Sequence, residues 1–298
     1  MKKLDLIIVG AQKAGTTSLN NYLKSHPKVS GHSTVEFSFF SDPSEYKKGY
    51  NHAIKNHFED TNGDYFIAKN VTISLQEESM PRLKEHNSDI KIVFLMREPV
   101  SRAYSAYNMA VKDGWMTRSF SELREIIHKK KYDDIMFRHF IKHGMYAQQI
   151  NTILKYFSVE QVQLLFFEDL KRDPQKVCNL LFNWLDLPEY KIEHSIHNPT
   201  YQPRSKMYGS LLHKLRDEKN PIKRLVKTII PYSVFSFLGS KLLASNRSNN
   251  TFQAISIEDQ KLLLSFYKPY NLELSQLLDK WGNEDSPFQS SQEWLKRM

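Results

Sequence analysis

The chain has 298 residues, of which 40% are hydrophobic and 25% are charged, a mixture typical of globular proteins that excludes a disordered or collagen-like chain. No apolar run approaches the roughly 20 residues of a bilayer span, and Asp5 and Lys13 interrupt the first apolar stretch, so we expect neither a transmembrane segment nor a secretory signal. A single cysteine, Cys178, excludes an intrachain disulfide and predicts a cytoplasmic location. The net charge of +9 favours an anionic ligand without identifying it.

The chain opens with a predicted strand, loop and helix. Leu4–Val9 is a short apolar run rich in β-branched residues, which is typical of a strand buried on both faces of a parallel sheet. Gly10–Gly15 is a loop of small residues. After it, Thr16–Lys24 has its apolar residues on one helical face, which predicts an amphipathic helix.

Strands and helices then alternate along the chain. Three further apolar runs predict strands at Tyr65–Lys69, Lys91–Arg97 and Val162–Phe167. One helical pattern follows Gly144, and another follows Asp173 and Pro174, which suit an N-cap and a first helical residue. Ser256 and Asp259 resemble a capping box that opens a last helix. The alternation predicts an α/β fold in which a central parallel sheet is flanked by helices on both sides.

We expect a single domain over residues 1–298, with residues 190–250 as an insertion that forms the acceptor site or a lid. Within the insertion, residues 214–249 are the least regular part, because an apolar stretch containing Pro231 is flanked by basic residues. Two interpretations stay open for this segment. It is either a helical hairpin over the core or a basic surface that contacts anionic lipid or polysaccharide.

The loop after the first strand is the most informative segment. An apolar strand, a glycine, four residues and a second glycine lead into a hydroxyl-rich helix start, in the sequence VGAQKAGTTSL. This arrangement aims backbone N–H groups and the positive end of the helix dipole at a phosphate. Gly10 and Gly15 have the separation of a nucleoside-triphosphate P-loop, but Thr16 stands where that motif has its lysine. The lysine lies inside the loop, at Lys13, from where we expect it to lean over the bound phosphate.

A second anion site is predicted where the strand Lys91–Arg97 ends. Ligands of open α/β sheets bind beyond the carboxyl ends of the strands, and Arg97 lies at such an end, at the same edge as the glycine loop. We take Ser101 as the N-cap of the next helix and Ser105 as lying one turn further in. Arg97, whose planar fork holds two oxygens, and Ser105 are expected to converge on a second phosphate. Taken alone, Arg97 fits an ion pair with a neighbouring acid equally well.

Together the segments IIVGAQKAGTTSL and IVFLMREPVSRAYSAY resemble the 5′-phosphosulfate loop and the 3′-phosphate motif of sulfotransferases. The similarity extends over about residues 4–281, and it is greater to the heparan-sulfate-modifying and bacterial enzymes than to the cytosolic phenol and steroid enzymes. The resemblance implies a P-loop-NTPase-like sulfotransferase fold. It also implies 3′-phosphoadenosine 5′-phosphosulfate (PAPS) as cosubstrate, adenosine 3′,5′-bisphosphate (PAP) as product, and in-line transfer of the sulfuryl group to a hydroxyl or a nitrogen.

The two anion sites and the resemblance together predict the residues that bind the donor. These residues are Gln12, Lys13, Ala14, Gly15, Thr16, Thr17, Ser18, Arg97, Ser105, Arg204 and Lys206. Arg204 and Lys206 rest on the resemblance alone, because related enzymes close a loop over the 3′-phosphate in that region. Lys13 is expected to stabilise the charge that develops on the leaving phosphate.

For the catalytic base the resemblance points to Glu36. Heparan-type enzymes carry a glutamate in a segment similar to K-E-x-x-F-F after the first helix, and this chain has VEFSFF, with Val35 in place of the lysine. His32 is a rival base, because the cytosolic branch uses a histidine. Lys69 stands where the family often has Glu-Lys-(Thr/Ser)-Pro, and we expect it to assist the donor sulfate or the acceptor.

We expect no metal, because lysine and amide donors suffice for a sulfuryl group and the acids and histidines lack metal-ligand spacing. The acceptor stays open as a hydroxyl- or amine-bearing glycan or small molecule. Trp115, Tyr132 and Phe137 are aromatic residues on which a sugar ring can stack. The oligomeric state also stays open.

Two alternatives compete with this interpretation. A P-loop kinase using Mg-ATP would take residues 10–17 as its phosphate loop and LLFFED, residues 164–169, as its metal-binding strand, but Thr16 contradicts the motif. A polyanion-binding protein would use the basic excess. The basic residues are dispersed and no nucleic-acid motif is recognisable, so we expect no nucleic-acid partner.

Overall fold

The computed structural model describes residues 2–58, 60–193, 252–280 and 293–296. The predicted insertion at 190–250, apart from residues 190–193, lies outside the described residues, and so do Arg204 and Lys206. Within the described ranges, none of the helices combines the length and the apolar character needed to cross a bilayer.

Five parallel strands form one sheet, which confirms the predicted α/β fold. The strands are β1 (Leu6–Gly10), β2 (Val29–Gly31), β3 (Tyr65–Lys69), β4 (Lys91–Met96) and β5 (Val162–Phe166), in the order β2-β3-β1-β4-β5. The central strand is β1, where Ile7 pairs with Ala68 on one side and with Ile92 on the other. Every residue of β1 is buried. Because successive residues of a strand point to opposite faces, both faces of the sheet are covered.

Helices connect and flank the strands. They are α1 (Thr16–Lys24), α2 (Pro43–Lys47), α3 (Tyr50–His57), α4 (Ser79–His86), α5 (Pro99–Lys112), α6 (Leu123–His128), α7 (Tyr146–Leu154), α8 (Phe167–Arg172), α9 (Pro174–Trp184), α10 (Ile257–Lys280) and α11 (Glu293–Lys296). The predicted caps of α9 and α10 are confirmed. The Asp173 carboxylate accepts the N–H of Lys176 at 2.9 Å, and the Ser256 hydroxyl accepts the N–H of Asp259 at 3.1 Å.

The predicted elements match the structure with small shifts at their ends. The first helix and the strand Tyr65–Lys69 coincide with α1 and β3. The last strand ends one residue early because Phe167 already begins α8. The sequence did not predict β2, because three residues are too few to produce a period.

The predicted start of α5 is wrong. The helix begins at Pro99, two residues before Ser101, and the cap is Glu98. The Glu98 carboxylate accepts the N–H of Val100 at 2.8 Å and the N–H of Ser101 at 2.6 Å. Proline suits the first helical position because an N–H at that position would have no intrahelical acceptor. Ser105 therefore lies nearly two turns into the helix.

The chain divides into two compact units. The first comprises residues 1–102, 143–197 and 264–298, and the second comprises residues 103–142 and 198–263. The first unit contains the whole sheet. In the second, the ring of Phe120 packs against those of Tyr104 and Tyr107, with centroids 5.0 and 5.1 Å apart, beside a cavity of about 300 Å³. A single domain over the whole chain stays a prediction.

Candidate functional site

Four neighbouring strands of the first unit each lead, at their carboxyl ends, to a predicted site residue. The loop after β2 carries Glu36, β3 ends at Lys69, the loop after β1 contains Lys13, and Arg97 directly follows β4. Since the strand order is β2-β3-β1-β4, these residues follow the same order along one edge of the sheet. The structure therefore brings them to the edge where open α/β sheets bind ligands.

The glycine loop is shaped by conformations and close approaches that favour glycine. Gly15 has a φ of 86°, in the left-handed region, and a Cβ at that position would lie 2.8 Å from the ring of Phe167. A Cβ on Gly10 would overlap the ring of Phe94. Lys13 also has a positive φ, 69°, which is uncommon for a residue with a side chain.

The loop leads into a helix start that is suited to an anion. Gly15 is the N-cap of α1, and within the described structure no side chain caps this helix. The first N–H groups of a helix have no intrahelical acceptor, and here they belong to Thr16, Thr17 and Ser18. Thr17 is exposed and Ser18 is half-buried, so donors are accessible at the positive end of the helix dipole.

Arg97 is joined directly to the glycine loop. Its Nη1 donates to the carbonyl oxygen of Lys13 at 3.2 Å, and its guanidinium lies 4.6 Å from the centre of the Phe167 ring. The hydroxyl of Tyr146 donates to the carbonyl oxygen of Arg97 at 2.6 Å. Burial lowers the pKa of Arg97, but arginine remains charged. Arg97 is therefore held at the loop both through its guanidinium and through its own backbone carbonyl.

Ser105 is the predicted partner of Arg97 at the second anion site. It is half-buried on α5 and belongs to the second unit, whereas Arg97 belongs to the first. Its convergence with Arg97 on a phosphate stays a prediction.

Glu36 and Lys69 form an ion pair at the ends of β2 and β3. The Lys69 ammonium lies 2.6 Å from Oε1 of Glu36, and the lysine side chain is 2% exposed, against 33% for the glutamate. The other carboxylate oxygen accepts the N–H of Val71 at 3.0 Å. A carboxylate has about four lone-pair positions, so Glu36 can accept a further proton donor from its exposed side.

The segment that carries Glu36 is anchored by buried aromatic residues. Phe37, Phe39 and Phe40 are all in the core, and the N–H of Phe37 donates to the carbonyl oxygen of Lys69 at 2.8 Å. Val35, which occupies the position of the family's lysine, is 80% exposed. Glu36 thus lies in a segment with three buried phenylalanine rings on one side and the exposed apolar side chain of Val35 on the other.

His32 is placed differently from an accessible base. It is 1% exposed, and its Nε2 accepts the backbone N–H of Lys69 at 3.0 Å. Burial and the neighbouring Lys69 and Lys24 lower its pKa to about 3. Its basic nitrogen is therefore engaged inside the protein.

These features can be compared with known proteins. The family model described as "Sulfotransferase domain" matches residues 3–227, which is most of the chain. The chain belongs to the sulfotransferase domain family.

Relatives of this sulfotransferase-family chain include two heparan sulfate enzymes. It is 28% identical over 205 residues to the bifunctional heparan sulfate N-deacetylase/N-sulfotransferase 1 of Caenorhabditis briggsae, covering 64% of this chain and 24% of the relative. It is 25% identical over 193 residues to the heparan sulfate glucosamine 3-O-sulfotransferase 5 of Mus musculus, covering 64% of this chain and 56% of the relative. The chain thus spans about a quarter of the nematode relative's length.

A solved structure shares the fold of the chain. The crystal structure of a sulfotransferase from Alicyclobacillus acidocaldarius superposes with a TM-score of 0.65 and 20% sequence identity, over 94% of this chain and 99% of that one. This likeness supports the sulfotransferase fold inferred from the sequence.

The kinase alternative requires an acid that is free to hold Mg²⁺ at the end of β5. Asp169 is buried and forms an ion pair with Arg172 in the next turn of α8, and Glu168 accepts the N–H of Glu98 at 3.2 Å. Across the described ranges, no three His, Cys, Asp or Glu side chains come together in a group that would hold a metal ion. The Asp169 and Glu168 carboxylates at the end of β5 are thus engaged by Arg172 and by the Glu98 N–H in this structure.

The proposed sugar-stacking residues lie in the second unit and are mostly used in packing. The Trp115 ring stacks on Phe140 with centroids 5.7 Å apart, and Phe137 is buried. Tyr132, at 45% exposure, is the most accessible of the three predicted rings.

The sequence did not indicate the contacts that hold the glycine loop, Arg97 and Glu36 in place. Phe167 was taken as the end of a strand, although it packs against both Gly15 and Arg97. Its position directly after a strand, at the edge that carries the loop, was the available signal. No sequence signal indicates that the Val71 N–H holds Glu36, because a backbone donor leaves no mark on residue type.

Proposed function

We propose that this chain transfers the sulfuryl group of PAPS to a hydroxyl or an amine of an acceptor molecule. The observation that carries the proposal is the hydrogen bond from Arg97 to the carbonyl oxygen of Lys13. It places the guanidinium beside the glycine loop and the start of α1, so that two anion-binding groups lie at one edge of the sheet. A nucleotide with phosphates at both its 5′ and 3′ positions requires such a pair.

The residues of the loop fit a phosphosulfate group. The backbone N–H groups of Gly15, Thr16 and Thr17 and the hydroxyls of the first turn of α1 would hold the 5′-phosphate. Lys13 would neutralise the charge that develops on the bridging oxygen as the bond to sulfur breaks. Arg97 would hold the 3′-phosphate through its planar fork. PAPS supplies the activated sulfuryl group, and the protein supplies position and charge.

We propose Glu36 as the general base. Its carboxylate is held by Lys69 and by the N–H of Val71, which leaves lone pairs on the exposed side for the proton of the acceptor. The buried ammonium of Lys69 stays beside the carboxylate and keeps its orientation fixed. His32 is a poorer base, because its lone pair already accepts the Lys69 N–H.

For the acceptor we propose a glycan or a small molecule with a free hydroxyl or amine. The relatives named above act, by their names, on heparan sulfate nitrogen and on a glucosamine oxygen, which supports both kinds of acceptor atom. The exposed Val35 beside Glu36 adds an apolar contact where the family often has a cation.

We also propose a cytoplasmic location for the chain. The chain has a single cysteine and therefore no intrachain disulfide, which fits a reducing compartment. That cysteine, Cys178, is buried, and burial raises the pKa of its thiol to about 12, which fits a packing role. Fractionation of the native host's cells would test the location.

The function is tested by incubating the protein with PAPS and a panel of acceptors in buffer containing EDTA. Mass spectrometry follows the acceptors, and chromatography follows PAP. We expect an acceptor to gain the mass of one SO₃ group while PAP appears. A parallel reaction with ATP and Mg²⁺ tests the kinase alternative, and phosphate transfer there without sulfuryl transfer would overturn the proposal.

A further inference from the structure

His32 is a buried side chain that the proposed mechanism does not use, and both of its ring nitrogens are engaged. Nε2 lies 3.0 Å from the backbone nitrogen of Lys69, and Nδ1 lies 3.2 Å from the hydroxyl of Thr34. Because a backbone N–H can only donate, Nε2 must be the unprotonated nitrogen. The neutral ring therefore carries its hydrogen on Nδ1 and donates it to Thr34.

The chain of hydrogen bonds continues to the proposed base. The hydroxyl of Thr34, which accepts from His32, donates to the carbonyl oxygen of Glu36 at 3.0 Å. The relay thus runs from the backbone of Lys69 through the His32 ring and the Thr34 hydroxyl to the backbone of Glu36. It joins the backbones of the same two residues whose side chains form the ion pair.

The surroundings of His32 keep the ring neutral. Lys24, from α1, donates to the His32 carbonyl at 2.9 Å, Lys69 lies at the end of β3, and His57 approaches from α3. The Glu36 carboxylate, from the same loop, is paired with Lys69, and Glu45 is paired with His57. Burial, Lys69 and Lys24 lower the His32 pKa to about 3, so the acceptor nitrogen stays available throughout the neutral range.

We propose that His32 is a positioning residue that fixes the Glu36 loop against the end of β3 and so aims the carboxylate at the acceptor. The proposal rests on the proposed function, in which Glu36 is the base. A displacement of about 1 Å in a catalytic group can cost up to 10²-fold in rate, which is why a backbone link of this kind bears on turnover.

Thr34→Val tests the relay with little risk to the fold, because Thr34 is exposed and valine has a similar shape. Turnover is followed as PAP release, with N-desulfated heparan sulfate as the probe acceptor and, in parallel, with water alone. We expect kcat to fall about tenfold while KM for PAPS and the affinity for PAP stay unchanged. Thr34→Ser, which keeps the hydroxyl, should restore kcat.

Ser33→Ala is the matched control. Ser33 is the exposed neighbour, and its hydroxyl donates to the His57 carbonyl at 3.1 Å, outside the relay. Its kcat should equal that of the wild type. An equal loss in Ser33→Ala and Thr34→Val, or an unchanged kcat in Thr34→Val, would overturn the positioning role.

The Glu36→Gln background separates this proposal from the proposed function. There, Thr34→Val should cause no further loss, because both changes act on the same base. If Glu36→Gln is inactive and Thr34→Val is fully active, the positioning role fails and the base assignment stands. If Glu36→Gln is fully active, or the wild type releases no PAP with any acceptor of the panel that tests the function, the proposed mechanism itself is wrong and the positioning role fails with it.

Discussion

The two halves of the site are built from different kinds of contact. The donor half, at the ends of β1 and β4, uses the backbone of the glycine loop, and Arg97 reaches it by donating to a carbonyl oxygen. The base half, at the ends of β2 and β3, uses a buried side-chain ion pair between Glu36 and Lys69. The donor half therefore depends on the conformation of the loop backbone as well as on the Lys13 and Arg97 side chains, whereas the base half depends on one pair of side chains.

The largest effect is expected from the base half. Glu36→Gln removes the proton acceptor but keeps the shape, and a positioned base contributes about 10²- to 10⁴-fold, so we expect kcat to fall by that factor. Glu45→Gln, which breaks a surface pair with Lys48, is the control and should leave kcat unchanged. Steady-state turnover with PAPS measures both. Equal activity of the two variants would remove Glu36 from the mechanism.

The ion pair itself can be separated from catalysis. Glu36→Gln leaves the buried Lys69 ammonium without its charge partner, which costs stability. The double variant Glu36→Gln/Lys69→Met removes both charges, so its melting temperature should recover while its turnover stays lost. Recovery of turnover with the recovery of stability would mean that the pair only supports the fold.

In the donor half, the side chain with the largest expected effect is Lys13. Lys13→Ala should lower kcat about 10²- to 10³-fold, because it removes one electrostatic contact to the leaving phosphate. Lys28→Ala removes an exposed lysine that pairs with Asp64 at the surface and serves as the control. The comparison uses kcat at saturating PAPS. A rise in KM for PAPS with an unchanged kcat would reassign Lys13 to ground-state binding.

The conformation of the loop is tested by two glycines that share a positive φ but differ in ψ, which is 12° at Gly15 and 154° at Gly49. Gly15 and Gly49 have φ of 86° and 85°, but a Cβ meets Phe167 at Gly15 and nothing within 4 Å at Gly49. Both alanine variants should lose about 1–3 kcal/mol of stability from backbone strain, because each φ is one that residues with a side chain rarely adopt. Gly15→Ala alone should also bind PAP about tenfold more weakly, or about 1.4 kcal/mol. Calorimetry measures the affinity, and equal binding by both variants would show that the loop is not the donor cradle.

Much of the donor half was predictable from the sequence, and less of the base half was. A strand, a glycine loop and a hydroxyl-rich helix start are local, so the spacing of Gly10, Gly15 and Thr16 predicted the loop between β1 and α1, while its role in binding phosphate stays a prediction. The Glu36–Lys69 pair joins residues 33 positions apart. It forms because β2 and β3 are adjacent, and β2 is too short to be predicted. The cap of α5 was misassigned because a serine pattern was preferred over Glu98, whose carboxylate does the capping.

The remaining expected effect concerns stability rather than turnover, and it is a pH dependence of stability from His32. Its folded pKa, about 3, lies below the unfolded value near 6.5, so the unfolded state binds the proton first as the pH falls. The stabilising contribution is complete above pH 6.5 and is lost as the pH falls toward 3. Between these limits the free energy of unfolding should decrease more steeply with falling pH in the wild type than in His32→Gln. Denaturant titrations measure this, with exposed His52→Gln as a control that keeps the wild-type slope.

The proposed function requires the glycine loop and Arg97 to hold the two ends of one nucleotide. A crystal structure of the protein with PAP measures this directly. We predict the 5′-phosphate at the start of α1, against the N–H groups of Gly15 and Thr16 and beside Lys13, and the 3′-phosphate on the Arg97 guanidinium. A nucleotide bound with either phosphate away from these groups, or bound at another edge of the sheet, would contradict the claim.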